Sequence, residues 1–528
     1  MATTTEERAI FIYKDKKLYG KMQRGMLFLH KDKNEYIEDD GNLRSEILDI
    51  LPEGIDLQIM LKNFNRENPI ELLPYLKNTI GNFDFSTIAN KTDFDKPVLS
   101  NLKLENTFPN VLDCKINIGS DLLYPSIYGT DTTLERNQIL SLSGYQHKLQ
   151  VSIIDNVIAL NYGDFILKPD HKRFLDLAIN EHLNVSFMRE FGFEVPFNAL
   201  VYDEWQWHKH FHYLIKRFDI DENDNKLPQI SLNALMKHDN QMKYNGTIEQ
   251  ISEFLCSRLD DTQKMLFLEY IYANVLIYNC DLHKKNIGFV FKDNKLVLSP
   301  IYDIINVYAI MLADKLDDIK RTQCFLPIGN HTDSIRISYF EKSAENLGLD
   351  FTQVKENLQK IQDIYFEKYP QYIAKMKQIS YLRTANEFET LLLKSYNKNV
   401  QTAKNAAKND GEFNTISYKN SVGFDVSNTS GMDRLRDEFE TTTQSVNESY
   451  SSQCERFRLA IWRDLEKYHN IKGECIDKEK RTEIEAKIDD FFEKSFNLDR
   501  VEIMEKSYEF VNGLARELKI NKPNFPRL

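Results

Sequence analysis

The stretch from Asn279 to Asn306, NCDLHKKNIGFVFKDNKLVLSPIYDIIN, constrains this chain more than any other. It follows a run from Met265 to Tyr278 that is apolar apart from interruptions such as Glu269 and Asn274. At that length such a run predicts a buried helix and not a membrane span. The pattern after it predicts a hairpin: a strand from Ile287 to Phe291, a turn Lys292-Asp293-Asn294-Lys295, and a returning strand from Leu296 to Pro300. Closed symmetrically on that turn, the hairpin puts Asn286 opposite Ile301 and Asp303 opposite Lys284. Asn286 and Asp303 then sit on neighbouring strand ends, roughly 7–8 Å apart on the diagonal. Side chains of that reach can share one metal ion, and Mg²⁺ takes hard oxygen ligands, commonly one or two carboxylates plus phosphates. Asp281 lies a short loop before Asn286, close enough to face the same phosphate. A hairpin capped by ordinary polar turn residues is the plainer reading. Against it stands the gathering of two acids, an asparagine and His283 where a long apolar helix ends and a hairpin begins.

Around this segment the pattern is mixed α and β. Residues 9 to about 110 begin with short strands, Ile10-Phe11-Ile12 and Leu18-Tyr19-Gly20, joined by a Lys-Asp-Lys turn. A helix near Asn42 to Leu51 and the turn Pro52-Glu53-Gly54 follow, which together predict a small α+β domain. From 141 to 168 the sequence reads as a β-meander. Leu149–Ile154 and Val157–Leu160 are strands around a two-residue Asp155-Asn156 turn, and Phe165–Lys168 follows the turn Tyr162-Gly163-Asp164. A helix is predicted over 173–191, closed by Gly192, then two strands over 197–219. Residues 231–394 are mainly helical. The Asn-, Ser-, Lys- and Gly-rich stretch 397–431 predicts a linker, and 432–528 returns to charged helical segments. The domain reading is therefore 1–115, 116–220, 221–396, a linker over 397–431, and a helical extension over 432–528.

With 68 Lys and Arg against 80 Asp and Glu, the net charge of −12 argues against broad nucleic-acid binding. The six cysteines are scattered with no CxxC pair, which predicts reduced thiols in a cytoplasmic protein. The polar N-terminus lacks the apolar stretch of a signal peptide.

Asp281-Leu282-His283-Lys284-Lys285-Asn286 resembles the D-x-H-x-x-N catalytic loop of HipA-type kinases, and Tyr302-Asp303-Ile304 resembles their magnesium-binding Y-D-I. Ser141-Leu142-Ser143-Gly144, with Gln146 and Lys148, resembles the family's phosphate-covering loop. Phe165-Ile166-Leu167-Lys168-Pro169 resembles the strand carrying the ATP-binding lysine. All four occur in the family's order over roughly residues 9–390, and Leu51-Pro52-Glu53 is similar to its N-terminal subdomain. The resemblance implies a two-lobed α+β kinase fold with ATP and Mg²⁺ as cofactors. Lys168 would bind the α/β-phosphates, a task a point charge can perform. Glu181 lies on or beside the apolar face of its predicted helix, where an unpaired carboxylate is costly. A salt bridge to Lys168 would relieve that cost. Asp281 would orient the acceptor hydroxyl and take its proton, and Asn286 and Asp303 would hold the metal. His283 is read as bracing the loop.

The resemblance further implies phosphorylation in cis of the phosphate-covering loop, at Ser141 or Ser143, switching the enzyme off. It implies a growth-inhibiting toxin that phosphorylates an aminoacyl-tRNA synthetase. It also implies neutralisation by a small antitoxin of HipB type, to which DNA binding is left. No membrane contact is expected. Two departures stand out. Lys216, before Arg217-Phe218-Asp219, occupies a place that is usually acidic, which leaves adenine recognition near Lys216 and Phe218 to backbone groups. The tail beyond about residue 396 has no counterpart in the family pattern. His208, His210 and His212 share one strand face and are read as an exposed strand in preference to zinc ligands. Two rival classes remain: a small-molecule phosphotransferase, and a non-catalytic nucleotide-binding scaffold. Intact Lys168, Asp281, Asn286 and Asp303 argue against the scaffold.

Overall fold

A computed structural model of the chain describes residues 9–23, 26–31, 35–38, 41–94, 96–123, 146–170, 176–205, 208–293, 295–313, 322–379, 385–409, 478–495 and 514. The chain divides into two compact units, one comprising Met1–Asp203 with His210–Asp410 and the other Glu204–Lys209 with Gly411–Leu528.

The first unit opens with a five-stranded sheet. Its strands are β1 (Ile10–Lys14), β2 (Lys17–Gln23), β3 (Met26–Lys31), β4 (Glu35–Glu38) and β5 (Phe83–Ser86), in the order β4-β3-β2-β1-β5. Asp15 and Lys16 both have positive φ, 51° and 61°. Two such residues give the turn whose twist suits paired strands, so the short link between β1 and β2 follows from local conformation. Helices α1 (Asn42–Ile50) and α2 (Gly54–Asn63) come next, and Leu43, Ile47 and Ile59 are buried.

The second sheet has seven strands: β6 (Val111–Leu112), β7 (Lys115–Asn117), β8 (Leu149–Ile154), β9 (Val157–Leu160), β10 (Phe165–Lys168), β11 (Asn198–Trp205) and β12 (His208–Lys216). Their order is β6-β11-β12-β10-β8-β9-β7. The expected meander is present. Asp155 and Asn156 form its two-residue turn with φ of 51° and 60°, pairing Ile154 with Val157. Antiparallel pairing of β10 with β12 sets Lys168 opposite Tyr213. Helix α3 (Leu177–Phe187) is buried on every side, and a 3₁₀ turn (Met188–Phe191) carries the chain to Gly192 at φ 91°. The helical expectation over 173–191 thus resolves into two tighter elements, and its opening residues 173–175 lie outside the described residues.

The remainder of this unit is mainly helical: α4 (Ile248–Leu255), α5 (Asp261–Ile277), α6 (Val307–Ala313), α7 (Glu341–Leu347), α8 (Phe351–Met376) and α9 (Ala385–Asn409). The Asp260 carboxylate accepts from the Gln263 N–H at 3.0 Å and starts α5. From Phe267 to Ile277 most of α5 is buried, which is what its all-round apolar sequence requires. Beyond it a three-stranded sheet, β13 (Gln229–Ser231), β14 (Gly288–Lys292) and β15 (Lys295–Leu298), contains the expected hairpin, paired from Lys292 with Lys295 to Phe289 with Leu298. The stretch expected as a linker from residue 397 is still α9 up to Asn409. Its apolar positions continue through Tyr396, Val400 and Ala403, packed on the core. Asn399, polar in sequence, is buried and donates to the Leu276 carbonyl at 2.5 Å.

The second unit contains the helix α10 (Lys478–Ser495), with Ile484, Ile488 and Leu514 buried. Most of the helical extension expected over 432–528 lies outside the described residues. No helix among the described residues is long and apolar enough to cross a membrane.

Candidate functional site

A cleft of about 600 Å³ lies in the first unit. Lys148, just before β8, and Lys168 and Lys216 of the seven-stranded sheet line its wall. The segment around β14 contributes Asp281, His283, Asn286 and Asp303, and the N-terminal domain contributes Asp49 and Glu53. Stretches of chain far apart in sequence therefore converge there.

Lys168 ends β10 and is almost wholly buried. Its ammonium bonds Glu181 Oε1 at 2.5 Å and also bonds Asp303 Oδ1. Burial works against a charged lysine, but the Asp303 and Glu181 carboxylates outweigh it and hold the ammonium protonated above its ordinary range. Burial would likewise raise Asp303, yet Lys168 and Lys148 hold its carboxyl well below the usual range. Glu181 keeps the opposite direction: burial raises its carboxyl despite Lys168. Lys148, also buried, is lowered by desolvation. The result is a wall bearing Lys168 and Lys148 that faces Asp303, whose side chain is still 21 % exposed.

The supports of this arrangement are asparagines that the sequence reading did not single out. Asn274, which interrupts the apolar helix α5, accepts from Asn279 Nδ2 at 2.8 Å. The same Nδ2 donates to the Asp303 carbonyl at 3.2 Å. Asn180, next to Glu181 on α3, donates to the Asn306 carbonyl at 3.0 Å and accepts from the Asn306 N–H at 2.8 Å. The helix bearing Glu181 is thereby tied to the segment bearing Asp303. A polar residue inside an otherwise apolar run was the signal available for Asn274. Asn180 and Asn306 carried none.

Strand pairing does not itself set Asn286 and Asp303 on the expected diagonal, because both lie beyond the β14–β15 ladder. The ladder ends where the Ser299 N–H meets the Gly288 carbonyl at 2.9 Å. Ile301 then donates to the Glu194 carbonyl at 2.8 Å, and Asn286 donates to His283 within the loop at 2.8 Å. Gly288 is required at this point, because a Cβ there would lie 2.6 Å from Ser299 Oγ and 2.9 Å from Tyr302 Oη. Tyr302 reaches across it to the Lys285 carbonyl at 3.3 Å. The loop and the Asp303 segment are thus joined through side chains, and both Asn286 and Asp303 line the cleft.

Asp281 keeps access to solvent. Desolvation by the protein behind it pushes its carboxyl above the ordinary range, against the pull of the Tyr244 hydroxyl and Lys243. His283 is buried, its ring edge-on to Tyr244 at 5.1 Å, and burial pushes its imidazole down to about 3, aided by Lys243. A neutral ring packed in this way suits a brace. Lys285 of the same loop bonds Glu53, with Asn240 Oδ1 at 3.2 Å and Asp49 at 3.8 Å. The Pro52-Glu53-Gly54 turn therefore carries a carboxylate against the 281–286 loop.

Lys216 is half-buried and reaches Asp164 at 3.7 Å, while Phe218 stacks on Tyr302 with centroids 5.8 Å apart. Both line the cleft. Ser141, Ser143 and Gly144 lie outside the described residues. His212 is a buried structural histidine, accepting from the Asp170 N–H at 2.9 Å and facing Asp203 at 3.4 Å. The side chains of His208 and His210 lie outside the described residues.

Among the described residues no three His, Cys, Asp or Glu side chains form a closed metal cage. The donor set at the cleft is of another kind: one ionised carboxylate, Asp303, and one amide, Asn286. These hard oxygens suit Mg²⁺, which commonly completes its shell from phosphate and water.

The chain is similar to several known proteins. Residues 140–368 match the HipA-like C-terminal domain family. A putative kinase of Haemophilus influenzae is 32 % identical over 253 residues, covering 44 % of this chain and 71 % of that protein. Toxin YjjJ of Escherichia coli is 29 % identical over 150 residues, 28 % of this chain and 33 % of the toxin. A solved structure of the Shewanella oneidensis HipA toxin–antitoxin system, with HipB and operator DNA, superposes with a TM-score of 0.53 at 16 % identity. It covers 76 % of this chain and 99 % of that one, a likeness of fold.

Proposed function

The chain belongs to the HipA-type kinase family, and on that footing we propose that it transfers the γ-phosphoryl group of Mg-ATP to a serine or threonine of a protein. The observation that carries the reading is that Lys168, held from behind by the buried Glu181, meets Asp303 on one cleft that Asp281 and Asn286 also line. Lys168, fixed by Glu181, binds the α/β-phosphates. Lys148 adds a second positive charge on the same wall. Asn286 and Asp303 hold Mg²⁺, which neutralises phosphate charge when bound. Asp281, whose carboxyl is pushed above its ordinary range by desolvation, orients the acceptor hydroxyl and takes its proton.

The family further supports a growth-inhibiting role with an aminoacyl-tRNA synthetase as target. It also supports silencing by phosphorylation at Ser141 or Ser143, and control by a small DNA-binding antitoxin. Expression in a bacterial host, wild type beside Asp303→Ala, followed by phosphoproteomics, tests activity and target together. One or a few serine or threonine sites labelled by wild type alone, with growth arrest, support the reading. Identical phosphoproteomes from the two strains contradict it.

A further inference from the structure

Tyr244 follows the short 3₁₀ turn Asn240–Met242 and precedes α4. Its phenol donates to Asp281 Oδ1 at 2.5 Å. Its ring is held independently of that hydroxyl, edge-on to His283 and, at 5.7 Å, to Phe325. The residue is 36 % exposed and lines the same cleft. A hydroxyl thus already sits on one oxygen of the carboxylate that an acceptor hydroxyl must approach.

We infer that Tyr244 is a specificity-determining positioning residue, whose phenol occupies Asp281 until a protein acceptor displaces it, so that water and small hydroxyl compounds are poor acceptors. The inference rests on the reading of Asp281 as the proton acceptor. Burial and the neighbouring Asp281 carboxylate keep the phenol protonated, so it remains a donor. A hydrogen bond to a charged group resists displacement by about tenfold or more. A protein segment can meet that cost through contacts made elsewhere along its length, whereas water has none to offer. In the guarded side reaction a bond forms from water oxygen to the γ-phosphorus. The bond from that phosphorus to the β–γ bridging oxygen breaks, ADP departs, and the water proton passes to Asp281.

Full-length wild type, Tyr244→Phe and Asp281→Ala are compared in two assays: ADP release from Mg-ATP with no acceptor, and label incorporated into a bacterial whole-cell protein extract per ATP consumed. Phenylalanine keeps the ring contacts with His283 and Phe325 and removes only the hydroxyl. The expected result is an acceptor-free hydrolysis rate about tenfold higher in Tyr244→Phe, with less label in protein per ATP. A merely structural role would slow both reactions together. Hydrolysis unchanged or reduced by Tyr244→Phe overturns the inference, as does phosphate found on Tyr244 itself. If wild type labels protein in an Asp281-dependent way while Tyr244→Phe behaves identically, only the guard is lost. If wild type shows no Asp281-dependent use of ATP, the kinase reading and the guard fall together.

Discussion

Two buried charge clusters in the first unit look alike by burial and differ in what they leave unmet. In the seam between the N-terminal domain and the seven-stranded sheet, Arg217 uses all five of its donors. They go to Asp219 Oδ1 and Oδ2, the Asn78 and Thr79 carbonyls, and Gln150 Oε1, at 2.6–3.2 Å. Asp219 also accepts from the Gly81 N–H at 2.9 Å. In the cleft, Lys168 is shared by two carboxylates, Glu181 Oε2 is buried with no hydrogen bond, and Asp303 remains partly exposed. The first cluster is closed and holds two domains together. Both border the cleft, but only in the second does a carboxylate, Asp303, stay partly exposed to it, which is the property a phosphate-and-metal site needs. Buried charge alone marks either role; unmet capacity facing a cleft separates them.

The largest expected effect tests that separation. Asp303→Ala should abolish measurable phosphoryl transfer while the protein remains folded, and Asp281→Ala should lower transfer by ~10²–10⁴-fold. Both are read by labelled-phosphate incorporation beside a thermal melt. Arg217→Ala should do the reverse. It leaves Asp219 buried without its partner, a loss of about 3–5 kcal/mol in denaturant unfolding, with transfer per folded molecule little changed. Equal loss of stability in the Asp303 and Arg217 variants would erase the contrast.

A smaller effect is expected at Asn279. Asn279→Ala removes the donor shared by Asn274 and the Asp303 carbonyl, costing about 1–3 kcal/mol and slowing transfer about tenfold through misplacement of Asp303. A rate unchanged despite lost stability would make that asparagine purely structural.

The smallest effect concerns pH. His283 titrates near 6.5 when unfolded and is pushed down to about 3 in the fold. Between those values the unfolded chain binds the extra proton, so stability falls as pH drops from about 6.5 towards 3. His283→Gln should flatten this part of the stability curve, measured by urea unfolding at a series of pH values. An unchanged slope would remove His283 from the account.

The sequence made local features legible. Asp155-Asn156 announces its turn because two-residue hairpins need residues that tolerate positive φ, and the Lys-Asp-Lys stretch marks the turn between β1 and β2. Asp281, Asn286 and Asp303 fall within one short segment. Glu181 could be paired with Lys168 because an acid on an apolar helix face requires a partner. What stayed hidden depends on contacts between distant residues. Asn180 meets Asn306, Glu53 meets Lys285 and Tyr244 meets Asp281 through tertiary packing that no periodicity encodes. Asn399 misled for the same reason: an asparagine in a polar stretch reads as linker until its buried carbonyl partner on α5 is known.

The most direct measurement is calorimetric titration of ATP into wild type and Asp303→Ala, each with and without Mg²⁺. Wild type is expected to bind ATP more tightly with Mg²⁺, and Asp303→Ala to lose this dependence. ATP binding that ignores Mg²⁺ in wild type and is unaltered by Asp303→Ala would contradict it.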